Sequence, residues 1–171
     1  MQIMIPRSFQ KPPFYEVSSI EVDEEASVKE RLRTVHFYYD MTKEISPWED
    51  PNAYLPILFS VWKEIAVKLR PLYQQRQTKE VYPSMLLMSA LAIDALFWMN
   101  KKNVPGLDDV AHEVKTLPYQ PPNSGERLAF VLNRVEAYPS FIQLHSFMQE
   151  LEKLHARIKT IEKKHQHESS N

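Results

Sequence analysis

Apolar side chains recur along most of this chain at alternating spacings of three and four residues, the period of an amphipathic helix. From Ser27 to Glu44 the stripe is Val28, Leu32, Val35 and Tyr39, which predicts one helix ended by Pro47. Asp50 followed by Pro51 reads as an N-cap with proline at the first helical position. Pro56 then predicts an interruption, leaving residues 50–54 as a single turn before a main second helix. That helix carries Leu58, Val61, Trp62, Ile65 and Leu69, and Pro71 kinks or ends it. A third helix, Pro83 to Asn100, is apolar on almost every side and is therefore expected at the centre. A short fourth helix is predicted over 107–116, followed by a proline-rich connector from Leu117 to Pro122. Asn123 with Glu126 has the spacing of a capping box and opens a fifth helix to about Val135. The last helix runs from Pro139 to about His165. Its seam of Leu144, Phe147, Leu151, Leu154, Ile158 and Ile161 reads as the inward stripe of a long bundle helix. Past Arg157 its outer end is free for self-association with another copy.

Residues 1–25 read differently. Pro6, Pro12 and Pro13 forbid a helix, and the only strand-like run is Gln2 to Ile5. Ile3, Ile5, Phe9, Phe14 and Tyr15 give this arm apolar groups with which to dock, and the pattern leaves docking open. The expected architecture is all-α: a single compact domain of five or six helices over 26–165, an extended arm over 1–25 and a disordered tail over 166–171.

Composition narrows the chemistry. The 171 residues include two glycines, Gly106 and Gly125, and no cysteine. Glycine-built phosphate loops and nucleophile elbows, thiol catalysis, thiolate zinc sites and disulfides are thereby excluded. A formal net charge of −1 gives no global field toward nucleic acid or acidic lipid. The apolar run Val81 to Asn100 contains Pro83, Ser84, Ser89 and Asp94, which favours a buried helix over a membrane span. The opening residues lack a signal-peptide pattern, so a soluble cytoplasmic protein without a membrane partner is expected.

Asp94 is the first candidate site residue. It shares a stripe with Leu87, Leu91 and Trp98, and a carboxylate among such groups needs a partner or a raised pKa. It is either a ligand-binding or catalytic acid, or a buried anchor accepting from an arginine or from the Trp98 indole; the anchor is the favoured reading. The fifth helix offers the arginines. Arg127, Phe130 and Arg134 fall on one face with Asn123, beside the core stripe of Leu128, Val131, Leu132 and Val135. That face suits an internal bridge to Asp94, a protein partner, or the phosphates and bases of a nucleic acid. Glu152 with His155 has the spacing of a di-iron half-site but falls off the seam. Asp109 with His112 is expected in solvent, and His165 with His167 lies in the tail. No metal or cofactor is expected, and the Ser140 to His145 cluster reads as a helix opening.

Several segments together resemble the YpoC-like family of uncharacterised proteins from Bacillus and its relatives. They are Ile5-Pro-Arg-Ser-Phe, Pro13-Phe-Tyr, Pro47-Trp-Glu-Asp-Pro, Asp94-Ala-Leu-Phe-Trp-Met-Asn, Leu117-Pro-Tyr-Gln-Pro, Glu126-Arg-Leu-Ala-Phe and Tyr138-Pro-Ser-Phe-Ile-Gln-Leu. The resemblance implies no established activity and carries over no catalytic residue. It implies a genomic setting beside a DNA-repair endonuclease and a cell-wall synthase. The expected function is that of a non-enzymatic interaction or adaptor module with a protein partner; the alternative is a nucleic-acid-associated module for DNA maintenance using the Arg127–Phe130–Arg134 face.

Overall fold

A computed structural model of the chain describes residues 1–170, the side chain of residue 78 excepted. Among the described residues there are seven α-helices and one two-stranded sheet. The helices are α1 (Val28–Thr34), α2 (Tyr38–Thr42), α3 (Pro51–Gln74), α4 (Thr78–Met99), α5 (Val110–Glu113), α6 (Ser124–Asn133) and α7 (Tyr138–Ser169). Helices α3, α4 and α7 form the bundle; α1 lies against α3 and α4, and α5 and α6 close the side next to α7. The fold is mostly helical, as the periodicity predicts.

α4 is the central helix. From Met85 to Met99 every side chain is buried, including Ser89, which returns its hydroxyl to the Met85 carbonyl at 2.8 Å. By length and composition this helix could cross a membrane; in this fold its apolar surface is covered by its neighbours.

The predicted first helix is two helices. A capping box opens α1: Ser27 Oγ accepts from the Glu30 amide at 3.2 Å, and the Ser27 amide donates to Glu30 Oε2 at 2.9 Å. Helix α1 then ends at Val35 in extended backbone, and Phe37 takes a left-handed φ of 55°. A bulky residue pays for that conformation in strain, so the surroundings must hold it. They do: Phe37 is 1% exposed, and the rings of Phe9 and Phe14 pack on it at 5.8 and 5.0 Å.

Those two rings come from the arm, which is docked. Ile5, Phe9, Phe14, Tyr15 and Val22 are all buried. Strands β1 (Gln2–Met4) and β2 (Ser19–Glu21) pair antiparallel, with Ile3 opposite Ile20. Tyr15 donates its hydroxyl to the His36 carbonyl at 2.8 Å, and the Leu107 amide donates to the Ser8 carbonyl at 2.8 Å.

The prolines and caps depart from expectation in instructive ways. Pro56 and Pro71 both lie inside a continuous α3. Each sits on the exposed side within two turns of a helix end, where water can take the carbonyl that proline leaves free. Asp50 makes no side-chain cap bond, although Pro51 does occupy the first turn. Asn123 is left-handed at φ 59° and also caps nothing; Glu126 pairs instead with Lys115 at 3.0 Å. Helix α6 ends at Asn133, two residues short of Val135, while α7 continues through 166–169, beyond the end expected near His165. Residue 171 of the expected tail lies outside the described residues.

Candidate functional site

Asp94 lies where its stripe predicts, 2% exposed between Leu91 and the fully buried Trp98. Its partner is neither Arg127 nor Arg134. It faces Asp40 of α2, also 2% exposed, and the two carboxyls share a hydrogen bond. Burial, then the Asp40 charge and that hydrogen bond, hold the Asp94 carboxyl well above its ordinary range, so Asp94 keeps the proton and donates it. Burial raises Asp40 as well, opposed by the hydrogen bonds it accepts. Asp40 Oδ1 accepts from the Trp98 indole at 3.1 Å and from the Val104 amide at 2.7 Å. The indole bond expected for Asp94 thus goes to Asp40. No backbone or side-chain N–H reaches Asp40 Oδ2 or Asp94 Oδ1, which leaves the shared proton as the link between the two groups.

This pair ties α2, α4 and the segment after α4 together. Burial first and Asp94 second push the hydroxyl pKa of Tyr15, in the arm, upward. Two carboxyls sharing a proton have the chemistry of an acid–base dyad. Here both are shut off from solvent at 2% exposure, and none of the five surface cavities described below is lined by either. Its geometry is that of an anchor.

The Arg127–Phe130–Arg134 face divides. Arg127, with a side chain 16% exposed, pairs with Glu150 of α7, donates to the Pro122 carbonyl at 3.3 Å and stacks over Phe147 at 5.1 Å. Phe130 is 53% exposed. Arg134 has left the helix, reaches only Glu136 at 4.0 Å and is 72% exposed. The stripe fails because the helix stops one residue before its last member.

The largest of the five cavities lies elsewhere, between α3 and α7. It encloses about 610 Å³ and is lined by Phe59, Lys63, Val67, Glu152, His155 and Lys159 among others. A second, of about 380 Å³, continues along the same two helices past Arg70, Tyr138, Ile142 and His145. The helices run antiparallel: Phe59 meets His155, Lys63 bonds Glu152 at 2.9 Å, and Arg70 meets His145 at 3.3 Å. The lining residues of α3 and of α7 both recur every three or four positions, so the two cavities, which share no lining residue, follow one another along the groove between these helices. Val67 is 71% exposed at its lip. His155 is 6% exposed, and neither ring nitrogen has a hydrogen-bond partner. Burial and the neighbouring Lys159 lower its pKa, which keeps it neutral. Burial and Arg70 do the same to His145. Three further cavities, of about 410, 440 and 260 Å³, lie beside Pro121 and Arg157, beside Trp48 and Lys102, and beside Tyr119 and Glu162. Among the described residues no three His, Asp or Glu side chains converge to hold a metal ion.

Sequence reasoning placed Asp94 and Trp98 correctly in the core but missed Asp40 and His155. Asp40 gave no signal, because it reaches the core only through the Phe37 turn. His155 did give one: it follows Leu151 by four and precedes Ile158 by three, next to the seam.

A helical domain with a sealed carboxyl pair and one long surface groove defines a class without assigning a reaction. Comparison with known proteins supplies the family. The model of the YpoC-like protein family matches residues 52–163. The chain is 33% identical over 131 residues to "Uncharacterized protein YpoC" of Bacillus subtilis (strain 168), covering 75% of this chain and 80% of that one. It belongs to the YpoC-like family. The matched family segment contains Asp94 and both walls of the groove. No solved structure matches the chain.

Proposed function

We propose that this protein acts by binding a protein partner rather than by catalysis, and that the α3–α7 groove is the surface it presents. The observation that carries this reading is the apolar lip: Val67 is 71%, Tyr138 55% and Ile142 49% exposed along two successive cavities between α3 and α7. Exposed apolar side chains are ordinary one at a time, but a run of them along a concavity is the usual form of a partner-binding surface. The carboxyl pair supports the same reading, since a buried anchor leaves the surface as the working part. Arg127, being occupied internally, is withdrawn from the expected Arg–Phe–Arg surface.

A photo-crosslinking amino acid at position 67 tests this in cells. The expected result is a discrete protein adduct absent when the crosslinker stands at Phe130. Adducts to nucleic acid at Phe130 and none at position 67 would reverse the reading in favour of a nucleic-acid module, whose binding falls steeply with salt.

A further inference from the structure

The groove's charges carry the proposal further, resting on the reading that it binds a protein partner. Its two carboxylates are already neutralised: Glu152 by Lys63 at 2.9 Å, and Glu64 by Lys29 and Arg33 at 2.9 and 2.5 Å. Of its three cations Lys63 is used in that pairing, and the other two have no carboxylate. Among the described residues no carboxylate lies within 4 Å of Arg70 or Lys159. The groove therefore holds two cations without a carboxylate partner, one toward each end, Arg70 touching only His145 at 3.3 Å; between them lie Phe59 and Val67 and the self-neutralised Lys63–Glu152 pair. His155 adds a second feature at the Lys159 end, a buried imidazole lining the cavity with no partner for either nitrogen.

We infer that the groove receives an amphipathic acidic helix from another protein, its apolar stripe on Phe59 and Val67 and its carboxylates on Arg70 and Lys159. Arg70 stands level with His145, and Lys159 with Pro56, so the two cations are fourteen residues apart on either helix. At 1.5 Å per residue this is about 21 Å. A helix laid parallel to the groove meets both with acidic residues about four turns apart. The carboxylate at the Lys159 end also accepts from the N–H of neutral His155, giving that ring a partner. A third helix between two others is a packing solution that α-helical surfaces favour.

The probe is a leucine-striped synthetic helix of about six turns, with two glutamates four turns apart, titrated onto the full chain by fluorescence anisotropy. Its control carries lysines at both glutamate positions. The glutamate peptide is expected to bind and the lysine peptide to bind far less. Arg70→Glu and Lys159→Glu should each weaken the glutamate peptide about fivefold, and the double variant should recover the lysine peptide. Arg70 is exposed and Lys159 half-buried at the cavity edge, neither with a carboxylate partner to lose, so melting temperatures close to the parent's are expected and verify that the variants fold. Equal binding of the two peptides, indifference to both charge reversals, or no binding would overturn the inference. A position-67 protein adduct in cells alongside any of these results would leave the broader reading standing. Sedimentation velocity supplies the remaining outcome: a dimer that Val67→Glu dissociates makes the occupant a second copy and overturns the acidic-helix proposal.

Discussion

Asp94 of α4 donates its proton to Asp40 of α2 in the interior of the domain. The two positions are not equivalent, because Asp40 also accepts from Trp98 and Val104. Asp40→Ala orphans two buried N–H donors and should cost about 2–5 kcal/mol, whereas Asp94→Ala leaves one oxygen unpaired and should cost about 1–3 kcal/mol. Asp94→Asn offers an amide donor in place of the proton and carries no ionisation cost, so it should match or exceed the parent's stability at neutral pH. Urea denaturation of the three variants gives the order. A larger loss for Asp94→Ala than for Asp40→Ala would contradict this geometry.

The same pair makes stability fall as pH rises. Asp94 has its folded pKa raised above the ordinary 3.8. The folded state therefore holds the proton more tightly than the unfolded chain. The stability from this group is complete below the unfolded pKa and is lost as pH rises toward the folded one. Within that window the slope is about 1.4 kcal/mol per pH unit. Asp94→Asn should flatten the stability–pH curve above pH 4. Parallel curves for the two proteins would remove Asp94 as the cause.

Acid acts on the arm through His36. Burial lowers that imidazole to about 4, against 6.5 when free. A depressed base has the opposite sign: its contribution is present above pH 6.5 and is lost as pH falls toward 4. The rings of Phe14 and Tyr15 lie against His36 at 5.9 and 5.7 Å. Corrected for the intrinsic slowing of amide exchange in acid, hydrogen exchange at residues 9–15 should therefore rise across this interval. His36→Phe keeps the backbone carbonyl that Tyr15 uses and should abolish the rise; an unchanged acid response in that variant would exclude the imidazole.

Gly106 allows the arm to approach. A Cβ there would stand 2.7 Å from Ser8 Cβ and 3.1 Å from the Ser8 carbonyl. Gly106→Ala should cost about 1–3 kcal/mol through overpacking and make residues 1–25 more open to limited proteolysis. Resistance equal to the parent's would show that the loop yields instead of the arm.

Arg127 and Arg134 should differ sharply. Arg127 is enclosed by Glu150, Pro122 and Phe147, and its alanine variant should lose about 1–2 kcal/mol. Arg134→Ala, at an exposed side chain, should stay within about 0.5 kcal/mol. A double-mutant cycle of Arg127 with Glu150 measures the internal pair directly.

Much of the fold is legible in the residue pattern because helical burial is periodic. The stripes of α3, α4 and α7 could be read from three-and-four spacing alone, and so could the burial of Asp94 and Trp98. Capping was less legible. Ser27 with Glu30 forms the capping box while Asn123 with Glu126 does not, since the left-handed backbone at Asn123 and the pull of Lys115 decide against it.

Residue periodicity alone dictates a helical domain with α4 at its centre, because near-continuous apolar character admits no other place for that helix. It also dictates that Asp94 needs a partner. Only the tertiary structure decided which one. Asp40 is 54 positions away and reaches the core through a left-handed turn at Phe37 that is held by arm residues still more distant. The groove has the same origin: Arg70, His155 and Lys159 are unremarkable on their own helices, and the antiparallel pairing of α3 with α7 is what gathers them. Local periodicity reports which face of a helix is buried. It carries no information on what stands opposite that face, which long-range packing alone selects.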